Sequence, residues 1–175
     1  MKSYRFIALL FAALISLPAA VLAQDGQPVI GSLKGLHDIT ANNILKAAEM
    51  LDESIYAFKP TDDVRTAGSI FAHIANAQFM FCSAAAGEQS PNSENYEETA
   101  KTKPQIVAAL KKGLGYCSSV YGKMTDAAGA EMRNFFGNDM AASGILAFNS
   151  AHNYEHYGNL VTYMRLKGIT PPSSM

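Results

Sequence analysis

His152 and His156 stand four residues apart in the segment running from Ser150 to Leu160. On a helix that spacing stacks two imidazoles on one face, where both can reach a single metal ion. Ile145, Asn149, His152, His156, Asn159 and Tyr163 recur at alternating spacings of three and four, the pattern of a core-facing stripe. The two imidazoles therefore occupy positions where a bundle would otherwise place leucines. Two histidines hold a metal poorly, and His73, in the stripe Ile70, His73, Ala77, Met80, is the natural third ligand. It lies about seven residues, ~10 Å, from the start of its helix, and His156 about eleven residues from the far end of the last one. Antiparallel helices with those ends together bring the histidines into one layer. Three neutral imidazoles leave a coordination position open, as in catalytic zinc-type sites. Such an ion polarises a carbonyl or lowers the pKa of bound water. Imidazole suits zinc and nickel alike, and availability in the cell decides between them. The alternative is a polar hydrogen-bond network without metal.

Each of these histidines has an asparagine three residues away on its own helix: Asn76, Asn149 and Asn159. Their amides are expected to orient the ring nitrogens. His37 fails the layer test, because a hairpin of the first two helices displaces it by ~20 Å, so it is expected at a cap or on the surface. Glu155 is rotated about 100° from His156 and is expected to be a solvated or helix-bridging charge. It nevertheless completes His152-x-x-Glu155-His156, the inverted zinc-protease motif, whose further glutamate ligand is missing from the short tail.

Around these residues the mature chain reads as four helices. The first runs from about Leu36 to Phe58 and stops at Pro60. Thr66 is expected to cap the second, which closes on Gly87. Glu88 to Lys101 is polar, lacks periodicity and reads as a surface connection. Thr102 and Gln105 form a capping box for the third helix, whose inward positions are Val107, Leu110, Leu114, Cys117, Tyr121 and Met124. After a loop with Phe135 and Phe136, Asn138 or Asp139 is expected to cap the last helix, Ala141 to Lys167, which ends at Gly168 and Pro171-Pro172. The two phenylalanines read as apolar plugs over the bundle end, or, if exposed, as a contact surface. Nothing reads as a strand, and the fold class is an all-α four-helix bundle.

Lys2 and Arg5 precede an apolar run from Phe6 to Leu17, then Pro18 and the small-residue site Val21-Leu22-Ala23. Residues 1–23 read as a cleaved secretory signal and 24–175 as one domain, with no membrane association after cleavage and a periplasmic or secreted destination. Lys and Arg number 14 against 15 Asp and Glu, with no basic run, which excludes the footprint of a nucleic-acid binder. In an oxidising compartment the only cysteines, Cys82 and Cys117, are expected to pair. Cys82 lies nine residues beyond His73, on the opposite side of the helix, so it cannot join the metal site. If the second and third helices run parallel as neighbours, the two cysteines differ by only ~3 Å in height, and a bridge closes a loop of about 35 residues.

At the histidines the chain resembles the DinB-like family, exported branch included. The resemblance rests on Phe58-Lys59-Pro60, His73-Ile74-Ala75, His152 to His156, Gly158, Tyr163, Arg165, Gly168 and Pro171-Pro172. It implies a bundle with up-down-down-up topology that binds a divalent metal through one histidine of the second helix and the H-x-x-x-H pair of the fourth. Asn159 stands where the family often has glutamine. The resemblance further implies a metal-dependent hydrolase or transferase of small molecules, with thiol transfer disfavoured outside the cell. A non-catalytic metal-binding or assembly module is the alternative. Homodimers are common in the family, and Ala84, Ala85 and Ala86 are the small residues expected to permit close packing of two copies.

Overall fold

The computed structural model describes residues 26–175. Four long helices carry the fold: α1 (Pro28–Met50), α3 (Ala67–Ala86), α5 (Lys103–Lys123) and α7 (Ala142–Leu166). Between them lie the single-turn helices α2 (Glu53–Tyr56), α4 (Tyr96–Thr99) and α6 (Asp126–Gly129), and a hairpin of β1 (Met132–Phe135) and β2 (Asn138–Ala141). A short 3-10 turn, Pro172–Ser174, follows α7. No described helix is long and apolar enough to cross a membrane.

α1 starts at Pro28, earlier than the expected Leu36, because proline at the first helical position forfeits no hydrogen bond. It ends at Met50, where the Lys103 ammonium donates to the carbonyls of Glu49 (2.8 Å) and Leu51 (2.6 Å). Those carbonyls have no partner within the helix, so a cation there stabilises the break. Thr66 caps α3 as expected, its hydroxyl accepting from the Ser69 amide at 3.2 Å, and Gly87 closes it with φ 71°. Gln105 reaches back to accept from the amides of Lys101 (2.9 Å) and Thr102 (3.0 Å), starting α5.

α1 packs against α5 and α7, and α3 packs against the same two, so α1 and α3 are diagonal rather than a hairpin pair. Lys103 at the start of α5 meets the end of α1, which makes that pair antiparallel. Gly113 of α5 lies against Ala75 and Gln78 of α3, and Cys117 lies against Cys82, so α3 and α5 run parallel. A Cβ at position 113 would sit 2.8 Å from the Ala75 carbonyl, and glycine is what lets those helices approach. The Tyr163 hydroxyl donates to the Arg65 carbonyl just ahead of α3, which makes α3 and α7 antiparallel. The arrangement is up-down-down-up.

The core falls into two buried clusters along the bundle, with Tyr116 packed against both. Leu110, Leu114, Cys117 and Tyr121 of the expected α5 stripe are buried, with Val107 and Met124 partly buried at its ends. Cys82 and Cys117 are joined, Cα atoms 5.4 Å apart, and both are fully buried. In the chain-entropy account a loop of that length contributes ~3–4 kcal/mol.

Residues 138 and 139 belong to a strand, not to a helix cap. α7 begins after Ala141 without a side-chain cap, and its first amide, Ala142, instead donates to the Glu131 carbonyl at 2.9 Å as the chain leaves the hairpin. Phe135 is buried against the core, whereas Phe136 is exposed. Ala85 is fully buried, and Ala84 and Ala86 are partly buried against the core. His37 is fully buried, neither a cap nor a surface residue. It stacks on Tyr121 at 4.5 Å, and its Nε2 lies 3.1 Å from the Ser118 hydroxyl. Tyr121 in turn contacts Ser150 at 3.1 Å, two residues before His152. His37 faces α5 and stands apart from the other histidines. The signal-peptide reading lies outside the described residues.

Candidate metal centre

His73 of α3 and His152 and His156 of α7 converge because the two helices cross antiparallel as neighbours. Each ring offers a ligand nitrogen, and these atoms all lie within 4.8 Å of one another. His152 Nε2 is 3.1 Å from His73 Nε2 and 3.1 Å from His156 Nε2. His156 is buried and the other two are half-buried. Burial, with His156, His73 and Arg65 nearby, pushes the His152 pKa down to about 3. Burial and the neighbouring His73 also push His156 down. Uncharged rings with lone pairs aimed at one point suit a cation, whereas between two imidazole nitrogens only one proton can be shared. The three residues could hold a metal ion.

One ring has a partner that periodicity does not reveal. His73 Nδ1 lies 2.9 Å from Glu97 Oε2, and Arg65 Nε donates to Glu97 Oε1 at 3.1 Å. Burial pushes the Glu97 carboxyl up, but the hydrogen bonds from His73 and Arg65 outweigh it and hold the group below its ordinary value. An ionised carboxylate accepts the Nδ1 proton, which leaves Nε2 as a bare lone pair facing the other rings. Glu97 reaches His73 from α4, in the segment expected to be a surface connection without period. The local signal is Asn95, which caps α4 by accepting from the Glu97 amide at 3.2 Å, with Tyr96 buried as the anchor.

The three asparagines fare differently. Asn76 donates to Asn95 Oδ1 (2.7 Å) and accepts from the Tyr96 amide (2.9 Å), so it holds the segment that carries Glu97 and reaches His73 only through it. Asn149 is fully buried but donates to Cys117 Sγ (3.4 Å) and Tyr121 Oη (3.3 Å), one turn too deep to meet the histidines. Asn159 is exposed, because the inward stripe of α7 drifts past it to Leu160. The buried amides nearest the histidines in sequence on these helices are Asn153 and Gln78, where Gln78 Nε2 donates to Asn153 Oδ1 at 2.7 Å. Gln78 stands five residues from His73, off the three-residue offset, whereas Asn153 lies three residues before His156 just as Asn159 lies three after it, and spacing alone does not choose between those two. Glu155 is exposed and stands outside the convergent group.

A sequence profile of the DinB superfamily matches residues 36–160, the span holding all three histidines. The chain belongs to the DinB superfamily. Among solved structures, a DinB-like protein from Bacillus cereus superposes with a TM-score of 0.69 at 19% identity, covering 82% of this chain and 95% of that one. A DinB-like protein from Bacillus subtilis gives 0.65 at 20% identity, covering 79% and 93%. A mycothiol-dependent maleylpyruvate isomerase gives 0.62 at 14% identity, covering 75% of this chain and 60% of the isomerase. At these identities the likeness shows the DinB fold. No curated protein matches the chain in sequence.

Proposed function

We propose that this DinB-superfamily chain is an exported protein that binds one divalent metal, zinc or nickel, through His73, His152 and His156. It uses the ion as a hydrolase or transferase of a small molecule. The observation that carries the reading is the convergence of three imidazoles on one point, one of them hydrogen-bonded through its second nitrogen to a clamped carboxylate. When bound, the ion would supply Lewis acidity toward a carbonyl or a water. The chain's own part is positional. Glu97 keeps the His73 lone pair pointed inward, Arg65 keeps Glu97 ionised, and Asn76 holds the α4 segment in place. Both Glu97 oxygens are engaged, so that carboxylate is a positioning group rather than a free base.

The signal-like residues 1–23 and the buried Cys82–Cys117 pair support export, since cysteines stay joined in oxidising compartments. The isomerase neighbour depends on mycothiol, but an exported chain meets little of any cytosolic thiol, which favours hydrolysis over thiol transfer. The mature chain is further proposed to be a homodimer, and a light-scattering mass of one chain at micromolar concentration would count against that.

The test is elemental analysis after chelation and reloading, comparing the mature protein with the His152→Ala, His156→Ala double variant. One equivalent of metal in the first and little in the second is expected. Equal metal in both refutes the site. The loaded protein is then screened on small esters, amides and thiol conjugates. Stoichiometric metal with no turnover of any of these replaces the enzyme reading with that of a metal-binding or assembly module.

A further inference from the structure

Phe136 is the single non-glycine residue with positive φ (52°) among the described residues. With Gly137 (φ 80°) it forms the two-residue loop between β1 and β2, since Phe135 pairs with Asn138. Such a loop needs left-handed backbone at both positions, which Asn or Gly supplies without strain and phenylalanine does not. The ring gains little burial in return, being 68% exposed. Neither backbone preference nor packing accounts for an aromatic residue there, and strain of this kind concentrates at functional sites.

The rings around it lead to the metal centre. Phe136 lies 4.2 Å from Phe135, which packs on Phe81 at 5.6 Å and on Phe148 at 6.1 Å. Phe81 meets Phe148 at 5.3 Å and His152 at 5.1 Å. Phe148 is 47% exposed and stands one helical turn before His152 on the same face of α7. At the hairpin tip the apolar surface ends at exposed Asn134, Asn138 and Asp139. Phe136 and Phe148 are the two rings of this cluster left open to solvent, both packed on Phe135, and they fall far short of the ~800 Å² per partner of a stable protein interface but could meet one small apolar group.

We propose that Phe136 and Phe148 form a substrate ledge beside the metal centre, which takes the aromatic or acyl part of a molecule whose polar end lies at His73, His152 and His156. The inference rests on the three-histidine reading and adds to it the substrate class, an amphipathic small molecule rather than a fully polar one. The test uses two chelating probes with the same head, acetohydroxamate and benzohydroxamate, titrated into zinc-loaded protein. Benzohydroxamate is expected to bind about tenfold tighter, the phenyl ring supplying the difference. Phe136→Asn and Phe148→Ser should each remove most of that gain and leave zinc affinity unchanged. Phe136→Asn should also raise Tm by about 2 °C, because it relieves the turn, whereas a structural phenylalanine would lower it. Equal affinities in the parent protein, a gain surviving both substitutions, or a lower Tm for Phe136→Asn would overturn the ledge. If neither hydroxamate binds zinc-loaded protein, the open coordination position fails, and the ledge is judged on metal-free protein with benzyl alcohol. Ring-proton shifts at Phe136 and Phe148 would then uphold it, and shifts elsewhere or none would refute it.

Discussion

His73 differs from its two companions in having a carboxylate on its second nitrogen, and that asymmetry can be measured. Outer hydrogen bonds of this kind typically tune metal affinity by about 10–100-fold. Glu97→Gln keeps the shape but loses the charge that holds Nδ1 protonated, and it also releases Arg65. Zinc affinity measured by competition with a chromophoric chelator is expected to fall by about tenfold, with thermal stability of the metal-free protein little changed. Unchanged affinity would show that Glu97 merely tethers α4. The grouping of the three histidines was legible in sequence because helical period alone places them on facing stripes. Glu97 was not, because it approaches from a segment without period, and its position depends on contacts between Asn76, Asn95 and Tyr96 that form only in the folded chain.

At the scale of elements, the site depends on the register between α3 and α7, and the Gln78–Asn153 hydrogen bond is the polar contact between those helices closest in sequence to the ligands. Both residues are fully buried, and a buried amide pair is retained at some expense of stability when it specifies one arrangement over its neighbours. Replacing both together, Gln78→Met with Asn153→Leu, removes the polar atoms without orphaning one, so the fold should keep most of its stability. Zinc affinity is expected to fall several-fold, as the helices lose their fixed register. A double variant that binds zinc as the parent does would reduce the pair to simple packing. The long helices were readable from apolar spacing, and Thr66, Gln105 and Gly87 from their capping chemistry. The hairpin escaped notice because its strands are four residues each, Met132–Phe135 lacks clean alternation, and a Phe-Gly loop is not the usual turn pair. The diagonal placement of α1 and α3 was equally hidden, since connection lengths do not state which helices touch.

Two internal features govern the stability of the whole molecule, and they respond to different variables. The first is His37, whose pKa burial lowers from the ordinary 6.5 to about 4 against the pull of Asp38. The folded chain resists protonation there and the unfolded chain does not, so the contribution is complete above about pH 6.5 and is lost as pH falls toward 4. The full span is ~3 kcal/mol. His152 titrates in the same direction, so the quantity to measure is the difference between the parent and His37→Phe, by urea denaturation from pH 7 to 4. A steeper acid loss in the parent is expected, and parallel curves would contradict it. The second feature is the Cys82–Cys117 bridge, which ties α3 to α5 across the Glu88 to Lys101 segment and shields both sulfurs from solvent. Protein recovered from an oxidising compartment should resist alkylation until it is unfolded with reductant, and its intact mass should begin at Gln24. Reduction is expected to cost ~3–4 kcal/mol, which lowers Tm by about 10 °C for a chain of this size. The histidines lie in a neighbouring layer and take no ligand from either sulfur, so the reduced protein at a temperature where it stays folded should bind zinc with unchanged affinity. Two alkylated cysteines without reductant would refute the bridge, and a metal affinity that falls on reduction would show that the α3–α5 contact sets the geometry of the centre.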